Sequence, residues 1–547
     1  FPAELAAKIK PYINIRTVQF QDWQLSGTNI TVLVALRPEK GQVNQLHVFN
    51  KPRGKPRQIT FGKNPVRKAI INPLNDRSII FLRDEGGNER YQIFHYDLAT
   101  GKTIRITDGK NRHTGVHWSS KGDQIAYFSP KRNGRDNDLY ISRFNQTGSE
   151  KLLLKLNGGG WKIEDWSSDG RMLLIMEYIS INESRIHIVD TQSGEMSPLT
   201  PKLKVPVSYQ NARFDPNLRA VYFTSDDGFD FQRLTRLDLS SGEYRYYLAQ
   251  SKWDVESFEL SPDGESLAVV INERAVSKLR FLNVNSGAEI LESRSPSGVI
   301  STLKWGAKNK IMYGFSSALS PGQVVYHDLG SDEKLYWMKT DLSGIKPDHL
   351  SIPVREEMRS ADGSKLDAWI YRPGQIVNGR FLATTPIRPF PVVILFHGGP
   401  ESQFRPRFMG KYNYLISEEK IVMICPNVRG SRGYGKKYLK ADNGREREKV
   451  LFDIERIYNA IAADSSLDQG RIAVMGGSYG GFMSLHSMVK LNNFLKCGVD
   501  VVGISNFVTF LENTSDYRRD LRRAEYGDER IPEMRKFLEE LSPLTHV

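Results

Sequence analysis

Residues 26–345 carry a pattern of apolar and polar positions that repeats about every 45 residues. Within each repeat, apolar and polar residues alternate over short runs, as at 125–128, 173–176 and 221–224, which predicts half-buried β-strands. Turn-type segments such as 118–123, 166–170 and 261–264 open the repeats, and they indicate seven units. A second set of turns ends in glycines that follow one another at steps of 43 to 48 residues, at positions 101, 148, 194, 242, 287 and 330.

A period of 40–50 residues built from β-hairpins is typical of a β-propeller. The glycines in the turns supply the positive φ angles that tight hairpins need. A pair of β-sandwiches is the competing interpretation, but sandwiches do not keep one period through seven units. We therefore predict a seven-bladed β-propeller over residues 26–345. We expect the preceding segment, residues 1–25, to pack on the domain that follows the propeller.

After residue 345 the pattern changes to short apolar strands that alternate with helical stretches. The expected strands are at 366–371, 392–396, 421–426, 471–475 and 497–504, and the longest expected helix is amphipathic, at 446–463. This alternation predicts an α/β domain with a parallel sheet. The domain is expected over residues 346–547 and to be truncated at its C-terminal side.

One segment of this second domain has the layout of a nucleophile elbow. The apolar run that starts at Arg471 ends in Gly476-Gly-Ser478-Tyr-Gly480, and a helical stretch follows at once. Such a strand-to-helix turn pushes a serine Oγ out of the sheet, and the flanking glycines allow the close approach of strand and helix. Ser478 is therefore a candidate nucleophile, although a Gly-rich turn with a solvent-facing serine would show the same motif.

A second glycine-rich segment strengthens this interpretation. The strand at 392–396 leads directly into His397-Gly-Gly399-Pro400. An oxyanion that develops during acyl transfer needs two donors pointing at one spot, and backbone N–H groups at sharp bends can provide them. We expect the N–H groups of Tyr479 and Gly399 to be these donors.

Composition narrows the choice of partners. The net charge is +13, but Lys and Arg are spread along the chain, so we expect no nucleic-acid partner. No apolar run approaches the ~18 residues of a membrane span. The sequence has no His-Glu-x-x-His motif and no dinucleotide fingerprint, so neither a metal nor a cofactor is expected. Cys425 and Cys497 are expected to be buried and unpaired. A cytoplasmic and an exported or periplasmic location both stay open, as does a homo-oligomer.

The order of the two domains, with the segments 397–400, 427–435 and 476–481, resembles the prolyl oligopeptidase family of serine peptidases. Its acylaminoacyl-peptidase and dipeptidyl-peptidase branches are the most similar. The resemblance implies an α/β-hydrolase catalytic domain with Ser478 as the nucleophile, an oxyanion hole formed by the N–H groups of Tyr479 and Gly399, and a propeller that restricts access to short peptide substrates. It also implies that a catalytic Asp and then a His follow Ser478 in the chain.

The remaining residues after Ser478 offer no clear catalytic base. Their candidate acids and histidines are Asp516, Asp520, Asp528, His486 and His546. The last acid and the last histidine satisfy the order Ser, Asp, His, but no strand separates them. His486 should be carried away from the serine by the helix after the elbow. We therefore expect the triad Asp and His beyond Val547.

The sequence offers only a few residues that bear on substrate selection, and it leaves other functions open. Glu85 or Glu89 could face the active site and capture the free amino terminus of a substrate, or both could belong to an ordinary solvated hairpin. Arg429 could bind a substrate carbonyl or carboxylate, or brace its own glycine-rich loop. The alternatives to a peptidase are an esterase, which shares the elbow chemistry, and a catalytically incomplete chain whose propeller is a binding platform.

Overall fold

The structure is a computed structural model that describes residues 2–38, 42–293, 296–338 and 341–547. Its N-terminal part is one helix, α1 (Ala3–Ile13), followed by seven antiparallel four-stranded sheets, each made of consecutive strands. Seven such sheets around one axis form the predicted seven-bladed β-propeller, so this prediction is confirmed.

The strands of blades one to four are β1 (Val18–Ser26), β2 (Asn29–Leu36), β3 (Gln45–Phe49), β4 (Arg57–Gln58), β5 (Val66–Ile71), β6 (Ser78–Arg83), β7 (Gln92–Asp97), β8 (Thr103–Arg105), β9 (Thr114–Trp118), β10 (Gln124–Ser129), β11 (Asp138–Arg143), β12 (Lys151–Leu154), β13 (Trp161–Trp166), β14 (Met172–Ser180), β15 (Glu183–Asp190) and β16 (Met196–Pro198). Those of blades five to seven are β17 (Tyr209–Phe214), β18 (Ala220–Ser225), β19 (Arg233–Asp238), β20 (Tyr244–Tyr247), β21 (Asp254–Leu260), β22 (Ser266–Glu273), β23 (Val276–Asn283), β24 (Glu289–Ser293), β25 (Val299–Ala307), β26 (Lys310–Ser317), β27 (Ser320–Asp328) and β28 (Glu333–Met338).

The turn segments occupy a different place in each blade from the expected one. They join the first strand of a blade to the second, as between β5 and β6, rather than opening the blade. The first blade therefore starts at Val18, inside the segment 1–25 that the sequence separated from the propeller. Helix α1 does pack on the second domain: the Tyr12 hydroxyl donates to Glu418 at 2.6 Å, and its ring meets the Tyr414 ring edge-on.

Blade seven closes the ring against blade one by side-chain packing. The indole Nε1 of Trp23, in β1, donates to the carbonyl oxygen of Lys304, in β25, at 2.9 Å. The indole ring covers Gly306, where a Cβ atom would collide with it. Adjacent blades elsewhere are joined by buried carboxylates: Asp22 accepts from the backbone N–H of Ile71, the last residue of the neighbouring β5, at 2.9 Å.

The second domain is built on a six-stranded sheet in the order β29-β30-β34-β33-β35-β36. Its strands, with a separate hairpin β31–β32, are β29 (Val354–Arg359), β30 (Lys365–Tyr371), β31 (Gly374–Val377), β32 (Arg380–Ala383), β33 (Phe390–Phe396), β34 (Val422–Asn427), β35 (Leu467–Gly477) and β36 (Cys497–Val501). The helices are α2 (Tyr412–Ser417), α3 (Lys436–Leu439), α4 (Val450–Ala463), α5 (Tyr479–Lys490), α6 (Phe507–Glu512), α7 (Asp516–Tyr526) and α8 (Pro532–Leu541). Four short 3-10 turns lie at Pro347–His349, Gly444–Lys449, Asn492–Phe494 and Pro543–His546.

The sheet is mixed rather than wholly parallel. Strands β34, β33, β35 and β36 pair in parallel, whereas β29, β30 and β34 pair in antiparallel fashion. The central strands are almost wholly apolar because both of their faces are covered, and helices α4 and α5 contribute to that core. Cys425 is buried as expected, but the expectation for Cys497 is wrong: β36 is exposed along its whole length, and Cys497 with it. Both thiols are free.

Candidate active site

Ser478 occupies the turn between β35 and α5 in a strained backbone conformation. Its φ is +56° and its ψ is −121°, outside the regions that a non-glycine residue ordinarily adopts. Such outliers persist only where the surrounding structure holds them, and they cluster at active sites. The side chain is exposed, and its Oγ makes no hydrogen bond to any residue that the structure describes. A strained, exposed and unpartnered serine at the carboxyl end of a central strand matches the elbow layout.

Glycines bring the elbow and the neighbouring loop into contact. A Cβ atom on Gly480 would collide with the carbonyl oxygens of Phe396, the last residue of β33, and of His397, which follows it. A Cβ atom on Gly398 would lie 3.1 Å from the Gly477 oxygen and 3.4 Å from the Ser478 Cβ. The His-Gly-Gly-Pro loop therefore runs directly beside the candidate nucleophile.

Both expected oxyanion donors belong to the two segments that meet here. Tyr479 is the first residue of α5, and Gly399 has a φ of +136° in the adjacent loop. Among the described residues, no acceptor takes a hydrogen bond from either backbone N–H. The segments beside the serine thus carry two N–H groups without acceptors, one of them at a helix N-terminus, where the helix dipole also favours negative charge.

His397 lies close to the elbow but braces the loop. Its Nε2 is 2.9 Å from the Ser431 Oγ, and its Nδ1 is 2.9 Å from the Gly398 carbonyl oxygen. Burial lowers the pKa of His397 to about 4, so its ring is neutral at neutral pH. With both ring nitrogens engaged away from Ser478, His397 is a structural element of the site.

The candidate bases after the elbow do not reach the serine. His486 is buried in α5 against the Phe482 ring, and burial lowers its pKa to about 4. His546 is exposed, and its Nε2 contacts the Glu540 carbonyl oxygen at 2.6 Å. Asp528 pairs with Arg530, which lowers the pKa of its carboxyl to about 2. Asp516 and Asp520 form salt bridges within α7. The prediction that the triad Asp and His lie beyond Val547 stays a prediction.

Arg429 braces its own loop, and the alternative role in substrate binding is wrong. Its guanidinium is almost completely buried and contacts Asp453 at 2.7 Å and Asp362 at 2.8 Å. These carboxylates raise the pKa of Arg429 against the effect of burial. With both acids bound, the guanidinium has no face left for a substrate.

The propeller presents one face to the catalytic domain. Arg405, seven per cent exposed, pairs with Glu256 of β21 at 2.6 Å, and Lys436 pairs with Asp226 of blade five at 3.0 Å. The loops between the second and third strands of the blades lie on this side. Glu85 and Glu89 belong to such a loop and are exposed. Beside the loop, the Arg112 guanidinium lies over the rings of Tyr91 and of Tyr517 in α7.

The inner strands of the propeller enclose a polar channel of about 860 Å³. Each blade contributes at least one ionisable side chain to its wall: Asp22, Arg67, Lys68, His117, Glu164, Arg213, Glu259 and Lys304. Lys68 lines this channel, and burial together with the nearby cations Lys304 and Arg213 lowers its pKa to about 8. Acids and bases alternate around most of the wall, so the channel is polar without a strong excess of either sign.

Two further properties bear on partners. No group of three or more His, Cys, Asp or Glu side chains within the described ranges is placed to hold a metal ion. None of the helices in the part of the chain described above combines the length and apolar composition that a membrane crossing needs.

Comparison with known proteins identifies both domains. Residues 71–340 match the sequence model of the prolyl oligopeptidase N-terminal β-propeller domain, and residues 406–547 match that of the prolyl oligopeptidase family. Dipeptidyl aminopeptidase BIII of Pseudoxanthomonas mexicana is 26% identical over 494 residues, which cover 86% of this chain and 68% of that protein. Dipeptidyl peptidase family member 6 of Caenorhabditis elegans is 24% identical, with 97% of this chain and 76% of that protein covered.

A solved structure of a prolyl endopeptidase shares the fold. It superimposes with a TM-score of 0.85 at 17% identity, covering 100% of this chain and 81% of that chain. The two matched domains, their order and the exposed serine of the elbow agree with one another. The chain belongs to the prolyl oligopeptidase family of serine peptidases.

Proposed function

We propose that this protein hydrolyses short peptides through an acyl-enzyme formed on Ser478. The observation that carries the proposal is the strained, exposed serine flanked by two backbone N–H groups without acceptors. An oxyanion formed beside Ser478 would accept from both groups, and each such donor is worth roughly 10²–10³ in rate.

The reaction follows the serine hydrolase scheme. The Ser478 Oγ attacks the carbonyl carbon of the scissile bond while a histidine accepts its proton, and the carbonyl oxygen becomes the oxyanion. Collapse of the tetrahedral intermediate breaks the C–N bond, and the same proton passes to the leaving amine. Water then adds to the ester while the histidine accepts a proton from it. Breakdown of this second tetrahedral intermediate passes that proton to the Ser478 Oγ and releases the acid.

The propeller supports a restriction to short substrates. The loop beside Ser478 continues into Gln403, whose Oε1 accepts a hydrogen bond from Asn272 of β22 at 2.8 Å, and ion pairs fix the two domains together. A folded protein cannot reach a site placed between two docked domains. The family resemblance and the polar channel of about 860 Å³ support the same restriction. A homo-oligomeric state and the absence of a nucleic-acid partner stay predictions.

Action at a free amino terminus is the finer part of the proposal. The relatives include proteins named dipeptidyl aminopeptidase BIII and dipeptidyl peptidase family member 6. The exposed acids Glu85 and Glu89 lie on the propeller side that faces the catalytic domain. Carboxylates placed there would hold the ammonium group of a substrate and fix how many residues separate it from Ser478.

The experiment is to compare Ser478→Ala with unaltered full-length protein on dipeptidyl and acetyl-aminoacyl anilides. We expect kcat/KM to fall by about 10⁶-fold, as in serine peptidases that lose their nucleophile. Ser193→Ala, in an exposed turn of blade four, is the matched control and should leave kcat/KM unchanged. Retained turnover in Ser478→Ala would exclude this serine from the mechanism. Faster turnover of simple esters than of every anilide would favour the esterase alternative.

A further inference from the structure

The two expected oxyanion donors lie on chain segments that are far apart in sequence, so tertiary contacts must fix the position of one donor relative to the other. Gly399 has a φ that other residues rarely adopt, and glycine by itself tolerates many conformations. The orientation of the Gly399 N–H therefore depends on contacts that hold the peptide units on either side of Gly399.

Tyr526, the last residue of α7, supplies such a contact. Its side chain is one per cent exposed, and its hydroxyl donates to the Gly399 carbonyl oxygen at 2.9 Å. This hydrogen bond limits rotation about the Cα–C bond of Gly399. It fixes the peptide unit that follows Gly399, so the Gly399 Cα, which also carries the donor N–H, is held from one side.

Tyr479 is held by a related contact. Its backbone N–H lies at the elbow, but its side chain is completely buried, and its hydroxyl donates to the Asp442 Oδ2 at 3.1 Å. Asp442 is itself fully buried and accepts a second bond from Arg447 at 2.9 Å.

Arg447 connects the two tyrosines. Its guanidinium is fully buried, pairs with Glu525 at 3.0 Å and also donates to the Glu525 carbonyl oxygen at 3.0 Å. The same guanidinium lies over both phenol rings, 5.1 Å from the Tyr479 centroid and 4.7 Å from the Tyr526 centroid. One buried cation thus contacts the side chains that anchor both donor segments.

We infer that four side chains form a buried frame that fixes the position of one oxyanion donor relative to the other: Arg447, Asp442, Glu525 and Tyr526. Within this frame Tyr526 is the positioning residue for Gly399. The inference rests on the proposed function of Ser478. None of these side chains touches the substrate. They act through the backbone of Gly399 and Tyr479, so they should affect the transition state far more than the binding of the substrate.

The test is Tyr526→Phe in the full-length protein, since it removes one hydroxyl and leaves the ring and its packing. We expect kcat to fall by about 10- to 100-fold, less than the full loss of an oxyanion donor, with KM changed by less than about threefold. A peptide aldehyde, which forms a tetrahedral oxyanion on the serine, should lose affinity by the same factor as kcat/KM. An uncleavable substrate analogue should bind as before.

Tyr458→Phe is the matched control, because Tyr458 is also a buried tyrosine of the catalytic core but lies in α4, away from the donor segments. A similar loss of kcat in Tyr458→Phe, or a Tyr526→Phe variant within twofold of the unaltered kcat, would overturn the inference. If Tyr526→Phe keeps its kcat while Ser478→Ala abolishes turnover, the inference fails and the proposed function stands. Turnover retained in Ser478→Ala would instead overturn the proposed function.

Discussion

Ser478 keeps its unusual backbone conformation because the residues around it leave the turn no room to relax. The Ser478 N–H donates to the Val501 carbonyl oxygen at 3.1 Å, and the Ser478 carbonyl oxygen accepts from the Phe482 N–H at 3.0 Å. Gly480 lets α5 start directly against the end of β33. The exposed Oγ is thus presented by a rigid support, which suits a nucleophile that must meet a fixed pair of N–H donors.

Gly480→Ala should damage both stability and activity. Its Cβ would press on two backbone oxygens that cannot move without shifting β33, and such overpacking costs about 1–3 kcal/mol. Urea unfolding and anilide turnover measure the two effects. Gly470→Ala, an exposed position of the same strand whose nearest neighbour is the tip of Asp468, should change neither. Equal behaviour of the two variants would show that the close approach at Gly480 is unimportant.

At the scale of elements, the buried frame joins the 3-10 turn at Gly444–Lys449 to α5 and α7. It places one cation, Arg447, between two buried carboxyls, Asp442 and Glu525. One positive charge balances one negative charge, so a second ionised carboxylate would be uncompensated. Burial accordingly raises the pKa of Glu525 to about 9, although Arg447 acts in the opposite direction.

This raised pKa makes stability depend on pH. The folded protein keeps the Glu525 proton up to about pH 9, whereas the unfolded chain loses it near pH 4.3. The stabilisation that the protonated Glu525 gives to the folded state is therefore complete below about pH 4, and it is lost progressively as the pH rises towards 9. Glu525→Gln imitates the protonated carboxyl, so we expect its melting temperature to fall less than that of the unaltered protein between pH 5 and 9.

Glu529→Gln is the control for this prediction. Arg523 lowers the pKa of Glu529, so its contribution is already complete above about pH 4.5 and does not change between pH 5 and 9. Loss of the Glu529 carboxylate should lower the melting temperature by the same amount at every pH between 5 and 9, so the slope of melting temperature against pH should not change. Identical slopes for all three proteins would show that Glu525 is ionised in the fold at neutral pH.

At the scale of the whole molecule, the propeller is both a barrier and a partner of the catalytic domain. Blades five and six are tied to it by the Asp226–Lys436 and Glu256–Arg405 pairs. Blade two contributes the acidic loop with Glu85 and Glu89, near the contact between Arg112 and Tyr517. A substrate held at its amino terminus by this loop would span the gap between the domains.

The double substitution Glu85→Gln and Glu89→Gln tests this role. We expect kcat/KM for substrates with a free amino terminus to fall by about tenfold, the effect of losing a charge-assisted hydrogen bond. Turnover of acetylated substrates should stay the same. Glu195→Gln with Glu243→Gln, exposed acids in turns on the opposite face of the propeller, is the matched control. An unchanged preference for free over blocked termini would refute a role for the loop in substrate capture.

The sequence predicted the architecture because its determinants are local. Each blade needs hairpin turns with positive φ, and Gly101, Gly194, Gly242 and Gly287 have it, at φ of 73° to 78°. The start of the first blade at Val18 was missed because the turns lie between strands one and two, so counting turns skips the first inner strand. The antiparallel pair β29–β30 was missed for a similar reason, since strand alternation carries no information about direction.

The site was predictable only where residues adjacent in sequence create it. The elbow and the His-Gly-Gly-Pro loop are local motifs, and they were recognised. The frame around Arg447 was not recognised, because its partner Glu525 lies 78 positions further along the chain. Arg429 was ambiguous for the same reason: its partners Asp362 and Asp453 come from distant segments. A buried charge shows its role only once its partners are known.

The most direct test of the central claim is labelling of the full-length protein with a fluorophosphonate, followed by peptide mapping. The account predicts one adduct per chain, on the tryptic peptide 472–490, at Ser478. Prior treatment with a peptide aldehyde should prevent it. An adduct on another residue, or none under conditions where anilide substrates are turned over, would contradict the assignment of Ser478 as the nucleophile.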